Sequence, residues 1–362
     1  MAPERTWSRR VGAFAAAAGG DAVLRALADR WALEGQGRGR APHLRPRATP
    51  PFQILIYHRV HPDAGPFTID AVPPDRFDRQ MKHLARAYHT LPLEELLDRA
   101  REGTLPHRAV AVTFDDGYAD NFEHAFPILR RRGIPATVFL VSGCIETGAM
   151  LWHDRVLRAF AATGRRRWRS PWDGMEAHAE TVPDRRRAAF RALGALKPLA
   201  EEARLASVAQ LEEELGVTPP SGDERLMLDW KGLRAMGDGG ISFGSHTETH
   251  PILSRTDPAR AWLELTRSKQ AIEEGAWRPV TLFAYPNGRP EDYTEEIVGL
   301  VRRAGYRAAV TTTFGANEAG DDVYRLRRGT PWLPGDAGFR LQLAFHRLCD
   351  PGPVPRAGGV RG

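Results

Sequence analysis

Cysteine is almost missing from this chain. Only Cys144 and Cys349 occur, far apart and outside any CxxC or Cys/His spacing. That excludes a disulfide framework and a thiolate metal site. The lack of disulfides fits a reducing compartment, although periplasmic proteins can also lack them. No apolar run approaches the ~20 residues that a membrane-crossing helix needs. The folded body also lacks net charge. The chain carries +6, but residues 1–50 hold nine Arg and no Lys against Glu4, Asp21, Asp29 and Glu34. Beyond residue 50 the chain is close to neutral, which argues against a phosphate-tracking groove, so no nucleic-acid partner is expected.

The basic leader has two readings. Arg9 and Arg10 before the short apolar stretch 11–18 resemble the start of a signal peptide. That stretch is mostly Ala and Gly, however, and it runs into Asp21, Arg25, Asp29 and Arg30, with Val23, Leu24, Leu27, Ala28 and Trp31 at helical spacing. A basic amphipathic helix fits better. Such a helix suits the surface of an anionic membrane, as a peripheral contact, or equally a groove on its own domain. A cytoplasmic or membrane-peripheral location is expected, with a periplasmic one as the alternative.

Segment 35–51 is rich in Gly, Arg and Pro and reads as a linker, which makes residues 1–50 an N-terminal extension. Short apolar runs come next at 52–57, 109–114, 136–141, 240–244, 280–285, 307–311 and 323–326. Stretches of helical period lie between them, such as 74–87 with Phe77, Met81, Leu84 and Ala85 on one side. Strands alternating with helices predict an α/β fold built of parallel units, and seven strands suit a barrel better than a doubly wound sheet. Segment 151–222 breaks the rhythm: it offers helical stretches and no convincing strand, and is read as a helical insertion between the third and fourth strands. The catalytic body is expected over 51–340, with 341–362 as a tail.

Two constellations sit just past strand ends, where barrels assemble their active sites. The first is Thr113, Phe114, Asp115, Asp116, Gly117, Tyr118. One of two adjacent carboxylates can bind a cation while the other handles a proton, although Asp and Gly also make ordinary turns. The second is Ser245, His246, Thr247, Glu248, Thr249, His250, Pro251. Two imidazoles four residues apart can share one metal ion, and with an Asp they leave a coordination position open.

With these motifs, and with Phe283, Ala284, Tyr285, Pro286, Asn287, Gly288, the sequence resembles the polysaccharide deacetylase family of the NodB homology, carbohydrate esterase family 4 type. The likeness covers approximately 52–332 and excludes much of the helical segment. The opening ILIYHRV and segment 228–245 are similar to members acting on bacterial surface polysaccharides. The resemblance implies a distorted (β/α)7-type, NodB-like barrel that removes N-acetyl groups from a glycan. It implies a divalent metal held by Asp116, His246 and His250, with zinc expected and Co2+ or Ni2+ as alternatives. It makes Asp115 the general base and places the oxyanion against backbone N–H groups near Tyr285, Pro286 and Asn287, the substrate-binding candidates.

Two departures matter. Many members carry, in the third motif, an Arg that orients the catalytic Asp; this chain has Ala284 there, and Arg328 is the candidate replacement. The late Leu-x-His motif that supplies the general acid is also not evident, since Leu343, Ala344, Phe345, His346 falls in a different-looking helix. His58, at the end of the first strand, is the substitute. Trp152, His153 and Asp154 read as a helix start capped by Asp154, with a cleft border that stacks on a sugar as the alternative. The run Arg165 to Arg169 reads as a solvated loop, or as a contact for an acidic polysaccharide. Two other functions stay open on sequence alone: hydrolysis of a small amide or cyclic imide, and a carbohydrate-binding homologue that has lost catalysis. Oligomeric state is not encoded in any pattern here.

Overall fold

Six of the seven apolar runs coincide with strands of one parallel sheet; the seventh, expected at 323–326, is a turn that leads into a strand at Leu326–Arg328. The computed structural model describes residues 50–348 apart from 69, 173, 175, 219–225 and 332. The expected N-terminal helix and linker lie outside the described residues, as does the end of the expected tail.

In chain order the elements are β1 (Gln53–Tyr57), α1 (Pro74–Ala87), α2 (Leu93–Glu102), β2 (Ala109–Phe114), α3 (Phe126–Arg132), β3 (Ala136–Leu140), α4 (Trp152–Ala162), α5 (Val182–Leu196), α6 (Glu201–Glu214), α7 (Trp230–Asp238), β4 (Ile241–Ser245), α8 (Pro258–Ala276), β5 (Leu282–Ala284), α9 (Glu295–Arg303), β6 (Ala308–Phe314), β7 (Leu326–Arg328) and α10 (Gly335–Leu348). The strands pair in parallel from β1 through to β7, and a short strand His89–Thr90 joins the start of β2. The sheet then curls until its edges meet. Gly329, just past β7, donates to the Ile54 carbonyl at 2.8 Å, and its own carbonyl accepts from the Ile56 N–H at 3.1 Å. The result is a nearly closed barrel wrapped by helices.

Alternation along each strand decides what faces inward. Ile54, Ala109, Ala111, Phe139, Leu282, Ala284, Val310 and Leu326 form one buried cluster inside the barrel, with Leu93 and Leu96 of α2 packed onto it. The intervening residues Leu55, Tyr57, Val110, Val112, Phe114, Val138, Phe243, Phe283 and Tyr285 belong to a second cluster under the surrounding helices. α1 shows how a helix joins that layer. Pro74 fits its first turn, where the missing N–H costs nothing. Phe77, Met81 and Leu84 recur at helical spacing and are buried, each stabilising by roughly 1.5–3 kcal/mol. Met81→Asp would bury an unpaired carboxylate in that layer.

Between β3 and β4 the chain departs from the sequence reading in one respect. Besides α4 to α7 it forms an antiparallel ribbon, Arg167–Arg169 against Glu176–His178. Its strands are too short, and too rich in charged residues, to show an apolar alternation. α4 and α5 share a further buried cluster with α6, built on Trp152, Phe160, Trp168, Ala189 and Leu211. α10 also runs across the boundary expected at 340, because Phe339 and Leu343 are buried against the body and Gln53 donates to the Leu343 carbonyl at 3.0 Å.

Candidate active site at the barrel mouth

Strand parity carries directly into the site. On β2 the inward series Ala109, Ala111 continues to Thr113 and then Asp115, one residue beyond the strand. On β7 it runs from Leu326 to Arg328, and on β1 from Ile54 to His58. β1 and β2 pair Tyr57 with Phe114, so His58 stands beside Asp115 at the next step, where the Asp115 N–H donates to the Tyr57 carbonyl at 2.9 Å.

Asp115 is locked by Arg328. Nη1 donates to Oδ1 at 2.7 Å and Nη2 to Oδ2 at 2.6 Å, while Nε donates to the Thr311 carbonyl at 2.8 Å. Arg328 is only 1% exposed, and its guanidinium lies 5.7 Å from the centre of the Phe139 ring. Two fixed hydrogen bonds leave the carboxylate little rotational freedom. Burial by itself would raise the Asp115 carboxyl; the charge of Arg328, together with its hydrogen bonds, outweighs it and holds the carboxyl below its ordinary range.

Asp116, His246 and His250 meet next to this pair. Their ligand atoms all lie within 4.8 Å of one another and all three residues are buried. Both imidazole Nε2 atoms stand 3.5 Å from Asp116 Oδ1. His246 donates from Nδ1 to the Ala284 carbonyl at 2.7 Å, which leaves the lone pair on Nε2 facing Asp116. Burial pushes the His250 imidazole well below its usual value, so it is neutral and able to ligate. Asp116, Thr247 and His250 all take positive φ (74°, 71° and 62°), a strained conformation for residues with side chains and one found at ligand-holding sites. These donors fit a divalent metal: one carboxylate and two imidazoles, with no fourth protein ligand among the described residues. Cys144 takes no part, since burial and the nearby Asp116 and Asp154 push its thiol up to about 12.

The loops that carry these groups are tied down from three sides. Glu264, wholly buried on α8, accepts from the N–H groups of Glu248 and Thr249 at 2.9 and 2.8 Å and from Thr249 Oγ1 at 2.8 Å. It therefore holds the turn between the two imidazoles. Gly143 donates to the Glu248 carbonyl at 2.8 Å; a Cβ there would lie 2.6 Å from that oxygen, so only glycine permits the approach. The Asp-Asp-Gly turn is covered by 226–228, where the Leu228 N–H donates to the Gly117 carbonyl at 2.9 Å. Glu264 was missed in the sequence, yet it carried a signal: an acid on the face that Ala261, Leu265, Ser268 and Ile272 bury.

Three sequence expectations change. Tyr285 leaves the substrate set: its N–H donates to the Val310 carbonyl at 3.2 Å, and its ring stacks on Tyr293 at 4.3 Å under the helices. Pro286 has no N–H to offer. Asn287, at φ 60°, keeps a buried Nδ2 without a hydrogen-bond acceptor among the described residues. Asp154 does not cap α4, whose N-cap is Leu151; it accepts from the Tyr118 hydroxyl at 3.0 Å instead, and His153 lies edge-on to His250 at 5.4 Å. His346 is buried against Phe314, with ring centres 4.0 Å apart. His58 remains partly open, 24% exposed, with Nδ1 4.0 Å from Asp70.

A parallel barrel whose mouth gathers an aspartate held by arginine and an Asp-His-His cluster defines a class of hydrolase scaffold. The sequence profile described as Polysaccharide deacetylase matches residues 102–309. The chain belongs to that family, hydrolases of the carbohydrate esterase 4 type. It is 25% identical over 288 residues to YxkH of Bacillus subtilis (strain 168), provisionally named a polysaccharide deacetylase, covering 78% of this chain and 73% of that one. A 74-residue stretch is 36% identical to the poly-beta-1,6-N-acetyl-D-glucosamine N-deacetylase of Staphylococcus aureus (strain MSSA476), covering 20% of this chain and 26% of the relative. In fold it is similar to Streptococcus pyogenes deacetylase PplD in complex with acetate (TM-score 0.55, 21% identity, 84% of this chain and 100% of that one). It is also similar to IcaB from Ammonifex degensii (TM-score 0.52, 19% identity, 83% and 98%).

Proposed function

We propose that this protein is a metal-dependent N-deacetylase acting on an N-acetylated bacterial glycan. The observation that carries the reading is the adjacency of two carboxylates in different states of engagement: Asp116 among two imidazoles and Asp115 clamped by Arg328. A carbohydrate-binding protein without catalysis has no use for the second.

Asp116, His246 and His250 would hold the metal, zinc being the best match to the donor set. When bound it supplies Lewis acidity toward the acetyl carbonyl and toward water. Asp115, ionised and fixed by Arg328, accepts the proton of the water that attacks the carbonyl carbon. Asn287 Nδ2 is the donor assigned to the developing oxyanion. As the carbon–nitrogen bond breaks, His58 gives a proton to the departing sugar amine, and acetate is left behind. His58 suits this role because it shares the barrel mouth with Asp115 and is reachable from solvent.

Acetate release from N-acetylated oligosaccharides, by chelator-treated protein with and without zinc, tests the reading. Asp115→Asn is expected to keep its full metal content while release falls by about 10²–10⁴-fold, and His250→Gln to lose the metal. Loss of metal in Asp115→Asn would show that the roles of the two aspartates are assigned wrongly.

A further inference from the structure

A second concave, charged feature lies away from the barrel mouth, on the ribbon after α4. Trp168 anchors it from below: it is buried, packs edge-on against Phe160 at 5.2 Å, and donates from Nε1 to Glu214 at 3.2 Å. Strand alternation then turns its neighbours outward. Arg167 and Arg169 are exposed, Arg165 is exposed at the same parity, and all three line one open depression of about 570 Å³. Half-buried Trp172 packs against Trp168 with ring centres 5.7 Å apart. Glu214 is the one acid on the lining, and it is engaged by Trp168 and by Gln210 at 2.9 Å. Among the described residues, neither Arg165 nor Arg167 meets a carboxylate.

Arg167 and Arg169, alternate residues of one strand, are spaced by about 6.7 Å, and Arg165, two residues before the strand, continues the series along the same depression. Guanidinium groups in such a row match a chain bearing carboxylates at regular intervals. α4 links this row to the barrel mouth. Its first turn carries His153 beside His250, and its last residue leads within three positions to Arg165. Eleven helical residues make that link about 16 Å long.

We propose that this row is a secondary binding site for the uronate-bearing part of an anionic glycan whose N-acetylated unit reaches the barrel mouth. The link to the mouth rests on the deacetylase reading; the row's affinity for polyuronate does not. A recessed lining suits a polymer chain better than a flat bilayer, and the near-neutral body outside this row offers no continuing track for nucleic acid.

The test uses the full chain and the triple variant Arg165→Ala, Arg167→Ala, Arg169→Ala, all at exposed positions. Polyglucuronate oligosaccharides, which carry no acetyl group, are the binding probe. Affinity is expected to fall about tenfold in the variant, and wild-type binding to weaken as salt rises. In parallel, kcat/KM for acetate release from hyaluronan fragments should fall by a similar factor, with neutral N-acetylglucosamine oligomers turned over as before. Equal polyglucuronate binding by both proteins overturns the proposal, as does tighter, arginine-dependent binding of phosphatidylglycerol vesicles or duplex DNA. If no glycan releases acetate, the deacetylase reading fails, and the polyglucuronate comparison still decides for or against the arginine row.

Discussion

Arg328 clamps Asp115 from a strand at the other end of the sheet sequence. The two groups are 213 positions apart, and both point inward only because β2 and β7 share the same parity at the mouth. A buried guanidinium is tolerable here since its donors end on Asp115, Thr113 and the Thr311 carbonyl. Removing it should be severe. Arg328→Met leaves a buried carboxylate without its partner, and stability is expected to drop by about 3–5 kcal/mol, read from denaturant midpoints. Arg328→Lys separates folding from catalysis. It keeps the charge and loses the paired hydrogen bonds, so kcat should fall about 10²-fold while metal content and most of the stability remain. A lysine variant with unchanged kcat would mean that Arg328 serves the fold alone.

At the scale of elements, the site depends on how loops are held between strand ends and helices. Glu264 illustrates this, because one carboxylate on α8 receives both N–H groups of the turn that separates His246 from His250. Glu264→Gln keeps the shape but turns one acceptor into a donor facing those N–H groups. Metal affinity is expected to weaken about tenfold, measured by competition with a chelator, with the overall fold retained; unchanged affinity would limit Glu264 to packing. The same elements show what the sequence reveals and what it hides. Six of the seven barrel strands were legible because each is a short, mostly apolar run bounded by polar turns, as buried parallel strands are; the last, Leu326-Arg327-Arg328, holds two arginines and shares only its first residue with the run expected at 323–326. The two chemical motifs were legible because Asp-Asp and His-x-x-x-His crowd ligand types into a few positions. Parity was available too, and would have removed Tyr285, which alternates with the inward Ala284. The Asp154–Tyr118 contact was hidden because it depends on packing between separate segments, and the ribbon because its strands are short and charged; Glu264 showed only as an acid on a buried helix face, with its partners unspecified.

At the scale of the whole molecule, closure of the barrel is the step that assembles the site, and α10 covers the seam. Gly329 bridges β7 to β1, and a Cβ on it would lie 2.1 Å from the His346 ring of α10. The C-terminal helix is thus fitted against the very residue that joins the sheet edges. His346 makes this contact sensitive to acid, because burial lowers its pKa from 6.5 to about 3. Its depressed folded value means the imidazole stays neutral in the fold while the unfolded chain takes up a proton below about 6.5. Between those two values the unfolded state binds more protons, so stability rises with pH there and is lost as pH falls. The slope from this one group is at most about 1.4 kcal/mol per pH unit. His346→Leu removes the proton uptake and keeps an apolar side chain against Phe314 and Gly329. Unfolding free energies of the two proteins, measured from pH 7 down toward 4, should diverge in slope, with the variant less sensitive to acid. Parallel slopes would mean that His346 takes up its proton without opening the seam, and that acid loosens the barrel at another place.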